Sequence, residues 1–282
     1  MPEAKPAKKI ILALAPTGGW GAGRNNPLDP GILSREVIAC ARAGASLVHL
    51  HARDGCGALT TDLSLFLETT RRIRQGCDII IEASTGGLSQ LSAEERALPL
   101  KSPEAETGSL NMGSLNFLDN VYRNSLPDIR FWLGRMKERG VLPCLEIFDT
   151  SHLLLTTHLI GEGLISTPLV FNFVFNYRWG MGFSLPLMGL LKQMLPRPSL
   201  WGAVFGSSED FSLHLQAALH GAGMVRVGFE DSPLCEGREA ASNLELVQEL
   251  RRQLEILGFR PANPEEARTQ LNLAPLERRE KR

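Results

Sequence analysis

The sequence predicts an α/β chain of the (β/α)8 TIM-barrel class. Three observations carry that reading. Short apolar, β-branched runs alternate with longer stretches of helical period. Glycine closes most helical stretches just before the next run. The runs number seven clear ones and one weak one. Helix, then glycine, then strand, in repetition, marks βαβ units and a parallel sheet. A count near eight favours a closed barrel over an open doubly wound sheet. The 282 residues suit one domain over 1–282, with a core at about 9–273 and a charged tail at 274–282 (APLERREKR).

The first run spans 9–16 (KIILALAP), and a helix over 35–43 follows, capped by Ser34 and stopped by Gly44. The second run is 47–51 (LVHLH), before a helix over 63–75 that ends at Gly76. The third is 79–83 (IIIEA), and 108–112 is the weak one. A helix over 128–139 ends at Gly140 and leads into 143–148 (PCLEIF). Run 169–174 (LVFNFV) precedes a helix over 185–195 that stops before Pro196. Run 201–205 precedes a helix over 210–220, stopped by Gly221. The last run, 224–228 (MVRVG), precedes a helix over 243–257, stopped by Gly258. The phenylalanines of 171–175 fit strand alternation better than a cofactor box.

Composition removes several function classes. Thirty basic residues face 31 acidic ones, a net charge of −1, so nothing favours a nucleic-acid or membrane partner. No apolar run approaches the ~18–20 residues of a membrane span. The start, MPEAKPAKK, lacks the pattern of a secretory signal, so the expected location is cytoplasmic. Five cysteines without a CxxC pair read as reduced thiols rather than a disulfide framework or a metal site. The turn TGGWGAG at 17–23 follows a strand, but Asn25-Asn26-Pro27 separates it from any helix, so it is a poor dinucleotide fingerprint.

Barrel chemistry sits at the carboxyl ends of the strands. The second run ends in His49-Leu50-His51, and residues two apart on a strand share a face. Both imidazoles can then reach one ion, though two ligands are not yet a site. The last run leads to Arg226, Glu230 and Asp231. Glu230 would complete a two-histidine, one-carboxylate set that favours Zn2+, with another divalent metal possible. Asp231 can act as a base or support a ligand, and Arg226 can pair with a carboxylate. Glu146 stands inside an apolar run, where a carboxylate needs a partner, and Arg226 is the expected one. The third run ends in Ser84-Thr85-Gly86-Gly87, whose backbone N–H groups can cradle an anion. Ser109 and Asn111 stand at the end of the weak strand. Asp149 and His152 read as helix-capping or solvent-facing residues, and His158, His214 and His220 as structural ones.

Taken together, the motifs resemble the β-keto acid cleavage enzyme family, of the 3-keto-5-aminohexanoate cleavage type. The carrying residues are APTGG (15–19), HLHARDGCG (49–57), EASTGG (82–87), SLNMGSLNF (109–117), LPCLEIFD (142–149), VRVGFED (225–231) and SNLELVQEL (242–250) with NPEEAR (263–268). The resemblance spans nearly the whole chain. It implies a zinc-dependent TIM barrel that takes a β-keto acid and acetyl-CoA to acetoacetate and a new CoA ester. It implies His49, His51 and Glu230 as metal ligands, and Glu146, Arg226 and Asp231 as the catalytic acid–base network. Ser84, Gly87 and Ser109 resemble the residues that hold the substrate carboxylate. It further implies acetyl-CoA as a cosubstrate and a homo-oligomer, dimer or tetramer.

The chain departs from the family pattern at Trp20, where the aminohexanoate-cleaving member carries an acidic residue facing the substrate amine. Tryptophan does not pair with an ammonium as a carboxylate does, so the expected substrate lacks that amine and has an apolar tail. Two other readings stay open on the residues alone. One is a metal-dependent aldolase or hydrolase that needs no CoA. The other is a non-catalytic small-molecule binder, against which the intact His49, His51, Arg226, Glu230 and Asp231 speak.

Overall fold

In the computed structural model, which describes residues 7–18, 25–88 and 90–276, eight parallel strands carry the architecture. They are β1 (Lys8–Leu14), β2 (Leu47–Leu50), β3 (Ile80–Ser84), β4 (Ala105–Asn111), β5 (Leu142–Ile147), β6 (Leu169–Phe175), β7 (Ser199–Phe205) and β8 (Met224–Val227). Each pairs with its chain neighbour, and β8 pairs back onto β1. The sheet is therefore closed, and the chain is a (β/α)8 TIM barrel as the sequence predicts.

Helices α1 (Pro30–Ala43), α2 (Ser64–Gly76), α4 (Leu126–Arg139), α5 (Thr150–Gly161), α6 (Leu185–Met194), α7 (Ser212–Leu219) and α8 (Asn243–Ile256) follow β1, β2, β4, β5, β6, β7 and β8. After β3 the place is taken by one turn, α3 (Ala93–Arg96), and a 3-10 turn, Leu98–Lys101. A last helix, α9 (Pro264–Gln270), closes the end of the barrel where the strands begin. No helix among the described residues is long and apolar enough to cross a membrane.

Strand alternation sorts the barrel interior by level. Leu47, Ile80, Cys144, Val170 and Met224 form a buried apolar floor, packed from below by Ala262, Ala267 and Leu271. Two residues further along the same strands stand His49, Glu82, Glu146, Asn172 and Arg226, all buried. Two residues is one strand period, so each pair shares the inward face. The interior thus changes from apolar to ionisable within one step. The alternate residues, such as Val48, Ile81, Leu145, Phe171 and Val225, face the helices. Each fully buried side chain of this layer contributes about 1.5–3 kcal/mol. That layer holds the barrel while the inward polar row is left for chemistry.

Several predicted boundaries move, each for a local reason. Helix α1 starts at Pro30 rather than 35, because Asp29 is the cap and accepts the Ile32 N–H at 2.8 Å. Aspartate followed by proline is itself a start signal. Ser34 instead donates to the Gly31 carbonyl. Gly76 is the last residue of α2 rather than its stop. A Cβ there would lie 2.3 Å from Ile38 Cδ1, so glycine permits the close packing of α1 on α2. Helix α7 begins at Ser212, where Asp210 accepts the Ser212 N–H. The weak strand is longer than predicted, Ala105–Asn111, and a register shift opposite Ile81/Glu82 leaves Glu106 as the extra residue. Helices α5 and α9 and the hairpins Leu115–Phe117/Asn120–Tyr122 and Leu234–Cys235/Arg238–Glu239 were not among the predicted elements. The charged tail falls outside the described residues from 277 onward.

Candidate active site

Strand β2 delivers His49 from its inward face, and His51 follows one period later just past the strand. Glu230 arrives from the turn after β8. That turn depends on Gly228, with φ +145: a Cβ there would sit 2.1 Å from the Ala15 carbonyl oxygen at the end of β1. The close approach lets the Glu230 N–H donate to that same oxygen, at 3.1 Å. His49 Nε2 and His51 Nε2 are 3.2 Å apart, and each lies 3.3 Å from Glu230 Oε1.

These three atoms fit a divalent cation on several grounds. Their separations match the edge, about 3.3 Å, of a tetrahedron with metal–ligand bonds of about 2.0–2.1 Å. The Nδ1–H of His49 donates to Glu82 Oε1 at 2.8 Å, which leaves the Nε2 lone pair for the triangle. Glu82 is fixed in turn by the Thr107 hydroxyl, 3.2 Å from Oε2. Glu230 Oε2 and His51 Nδ1 are buried without a hydrogen-bond partner. The electrostatics agree with the geometry. Burial works against a charged His49, yet the Glu230 carboxylate prevails and lifts that imidazole to about 10. Burial holds the His51 imidazole at about 4. Burial also opposes ionisation of Glu230, but the two imidazoles keep it well below the ordinary carboxylate range. The triangle thus attracts one positive charge.

Beside it lies a second ionic group. Arg226, inward on β8, forks onto Asp231: Nε to Oδ2 at 2.9 Å and Nη2 to Oδ1 at 2.6 Å. Tyr177 donates its hydroxyl to the same Oδ1 at 2.9 Å. Glu146 Oε1 stands 3.5 Å from Arg226 Nη1, and the Asn172 amide donates to it at 3.4 Å. Asp231, rather than Glu146, is therefore the tight partner of Arg226. The expected Arg226–Glu146 pair exists only as a looser ionic contact, and Nη1 has no hydrogen bond. Burial raises the pKa of both Glu146 and Asp231 above its usual value.

The ends of β3 and β4 form the third wall. Ser84 and Ser109 are register partners, with hydroxyls 3.0 Å apart. The N–H groups expected to be open are engaged by hydroxyls: Gly86 N–H donates to Ser84 Oγ at 3.0 Å and Gly87 N–H to Tyr122 Oη at 2.6 Å. Gly87 has φ +113, and a Cβ there would lie 2.3 Å from Leu59 Cδ1, so only glycine fits the turn. All three groups border one cavity of about 780 Å³ at the carboxyl end of the barrel. That volume is within the range of about 300–1,000 Å³ typical of small-molecule sites.

The structure brings His49, His51, Glu230, Glu146, Arg226, Asp231, Ser84, Gly87 and Ser109 to this one cavity. Trp20 lies outside the described residues. Asp149 is a cap, accepting the Ser151 N–H at 2.8 Å, while His152 is buried and accepts the Phe148 N–H. Sequence reasoning missed Glu82, Tyr122, Asn172 and Tyr177. Glu82 carried the same signal as Glu146, a carboxylate within an apolar strand. The tyrosines carried none, since an aromatic at a strand end reads as packing.

Fold and site together define a (β/α)8 barrel in which His49, His51 and Glu230 could hold a metal ion. The sequence model of the beta-keto acid cleavage enzyme family matches residues 9–273, and the chain belongs to that family. It is 33% identical to the 3-keto-5-aminohexanoate cleavage enzyme of Fusobacterium nucleatum subsp. nucleatum, over 94% of this chain and 98% of that protein. It is 30% identical to the 3,5-dioxohexanoate:acetyl-CoA acetone transferase of Paraburkholderia graminis, over 94% of this chain and 96% of that one. Among solved structures it shares its fold with apo ObcA, with TM-score 0.74 and 19% identity, over 89% of this chain and 66% of that chain.

Proposed function

We propose that the enzyme converts a β-keto acid and acetyl-CoA to acetoacetate and a new acyl-CoA. The balance needs no oxidant. The C2–C3 bond of the keto acid and the C–S bond of acetyl-CoA break, the carboxymethyl unit joins the acetyl carbon, and the CoA sulfur takes the remaining acyl group. The observation that supports this reading best is the meeting of three chemistries in one cavity: a cation site, a guanidinium-held carboxylate and a hydroxyl-lined wall. The Paraburkholderia relative is named for a reaction with acetyl-CoA, which supports the cosubstrate.

Zinc is the metal assigned to His49, His51 and Glu230, because two imidazoles and one carboxylate suit it, with manganese or cobalt as the alternatives. When bound there, it supplies Lewis-acid polarisation of a keto oxygen. The rest falls to the protein. Ser84 and Ser109 donate to the substrate carboxylate, and that carboxylate displaces Tyr122 as acceptor for the Gly87 N–H. Asp231 takes a proton from C2 of the keto acid and returns it to that carbon in the departing acetoacetate, held in place by the Arg226 fork and the Tyr177 hydroxyl. Glu146 steadies the remaining edge of Arg226. Trp20 directs the choice of substrate toward an apolar acyl tail without an ammonium.

The test pairs metal analysis of protein purified without added metal with acetoacetate release from a panel of β-keto acids. About one zinc per chain, with turnover that requires acetyl-CoA, supports the reading. Metal with CoA-independent turnover points to an aldolase or hydrolase and overturns it. Neither metal nor turnover points to a binder. Preference for the amine-bearing keto acid would overturn the Trp20 argument alone.

A further inference from the structure

On a closed ring of eight strands, β5 stands across from β1. The His-His-Glu triangle belongs to β2 and the turn after β8, the strands that flank β1. The far side of the mouth has a different chemistry. Phe117 from the hairpin after β4, Phe148 after β5 and Tyr177 after β6 pack together with Tyr122. The Phe117 centroid is 5.3 Å from Tyr177, 5.9 Å from Tyr122 and 6.3 Å from Phe148. All four border the cavity. The two tyrosine hydroxyls are tied to Asp231 and to the Gly87 N–H, so this wall begins where the polar site ends.

The hairpin after β4 and the loop after β6 meet at its outer rim. Trp179 is 63% exposed and has φ +72, a strained backbone for a bulky residue. Its indole N–H donates to the Leu118 carbonyl at 3.0 Å and fastens the loop to the hairpin. The Arg178 guanidinium lies over the indole, 4.9 Å from the ring centroid. Its neighbour Asp119 is 3.5 Å away in a solvent-exposed pair, which is weak and easily exchanged.

We propose that this aromatic wall docks the pantetheine arm of acetyl-CoA, with the Arg178–Trp179 clasp meeting the nucleotide end. The inference rests on the acetyl-CoA reading above. Both reactants must occupy the cavity together. The keto acid's carboxylate belongs to Ser84 and Ser109 at the ends of β3 and β4, and its keto oxygen to the His-His-Glu triangle, which leaves the aromatic wall for the thioester. The arm is long, slim and uncharged, which suits a wall of aromatic rings. Its far end carries phosphates and a purine, which suit an exposed guanidinium on an indole plate.

The experiment measures KM for acetyl-CoA and for the keto acid separately in Phe117→Ala and Trp179→Ala. Trp179 is exposed, so the second variant keeps the comparison valid if the first unfolds, and thermal melts check both. KM for acetyl-CoA should rise about tenfold, the effect of losing one aromatic contact, with KM for the keto acid within about twofold. The preference for acetyl-CoA over the armless thioester S-acetyl-N-acetylcysteamine should shrink by a similar factor. A rise confined to the keto acid would instead assign the wall to the substrate tail and overturn the proposal, as would no change in either KM. Wild-type protein without acetyl-CoA-dependent turnover would overturn both this inference and the reading it rests on.

Discussion

The barrel buries one ionic cluster at each end, and the two differ in how completely they are satisfied. At the closed end, Glu106 accepts from Arg268 Nε and Nη2 at 2.8 and 2.7 Å and from Arg74 Nη2 at 2.8 Å. Arg268 also reaches the Asp78 carbonyl at 2.7 Å, so α9, α2 and the start of β4 are locked together. Only Arg74 Nη1 is left over among the described atoms of this group. At the open end, Glu230 Oε2, His51 Nδ1 and Arg226 Nη1 all lack partners, and their residues border the cavity. Burying a polar group without a partner is unfavourable by about 1–3 kcal/mol, more for a charged one. A fold that leaves several such groups open at one place and nearly saturates a similar cluster at the other has room for a ligand to complete the first. The same residue types thus form a nearly closed network below and an open one above.

The largest expected difference follows from His49→Ala. It should remove the metal and lower acetoacetate formation at least ~1,000-fold, since Lewis-acid assistance is worth several kcal/mol. Unfolding should stay cooperative. Elemental analysis, turnover and a thermal melt on one preparation decide it, and full metal occupancy in the variant would sink the ligand assignment. Glu106→Ala should do the reverse. It leaves Arg268 buried beside no carboxylate and Arg74 with Glu104 alone, a loss of about 3–5 kcal/mol. The melting temperature should fall by roughly 6–20 °C, with turnover at low temperature nearly unchanged. If turnover falls and stability holds, the division between the two ends is wrong.

The open end was more legible in the sequence than the closed one. His49, His51, Glu146 and Arg226 stand out because each is polar at an inward position of an apolar strand, and period-two alternation then shows that they meet. Glu82 and Asn172 obey the same rule and were passed over. The resemblance grouped Arg226 with Asp231, but strand alternation alone did not show their fork, because residue 231 folds back only through the positive φ of Gly228, which depends on the approach of β1. The closed end was invisible. Glu106 is the extra residue of a register shift, and Arg268 lies 162 residues away on a helix that was not foreseen. Strand and helix order was readable from local pattern. Long-range ion pairs were not, since charge carries no periodicity that names its partner.

Two smaller effects sharpen the contrast. Glu82→Gln keeps a hydrogen bond to His49 but removes the charge behind it. Metal affinity should weaken about 10–100-fold, with melting little changed, as chelator competition would measure. An unchanged affinity would mean that His49 is held by packing alone. The smallest effect tests whether burial, rather than pairing, gives the closed end its strength. Glu266 on α9 is paired with Arg260 at 2.5 and 2.8 Å and Lys9 at 2.8 Å, yet it sits at the surface. The hydrogen bonds from Arg260 and Lys9 hold its carboxyl at about 2, below the ordinary 4.5. A depressed carboxylate stabilises the fold above its unfolded value, and that contribution fades as pH falls toward 2. Glu266→Gln should therefore lower stability by under ~1 kcal/mol at neutral pH, with the difference from wild type shrinking in high salt and vanishing near pH 2. A salt-insensitive loss as large as that of Glu106→Ala would show that pairing on α9 matters more than burial does.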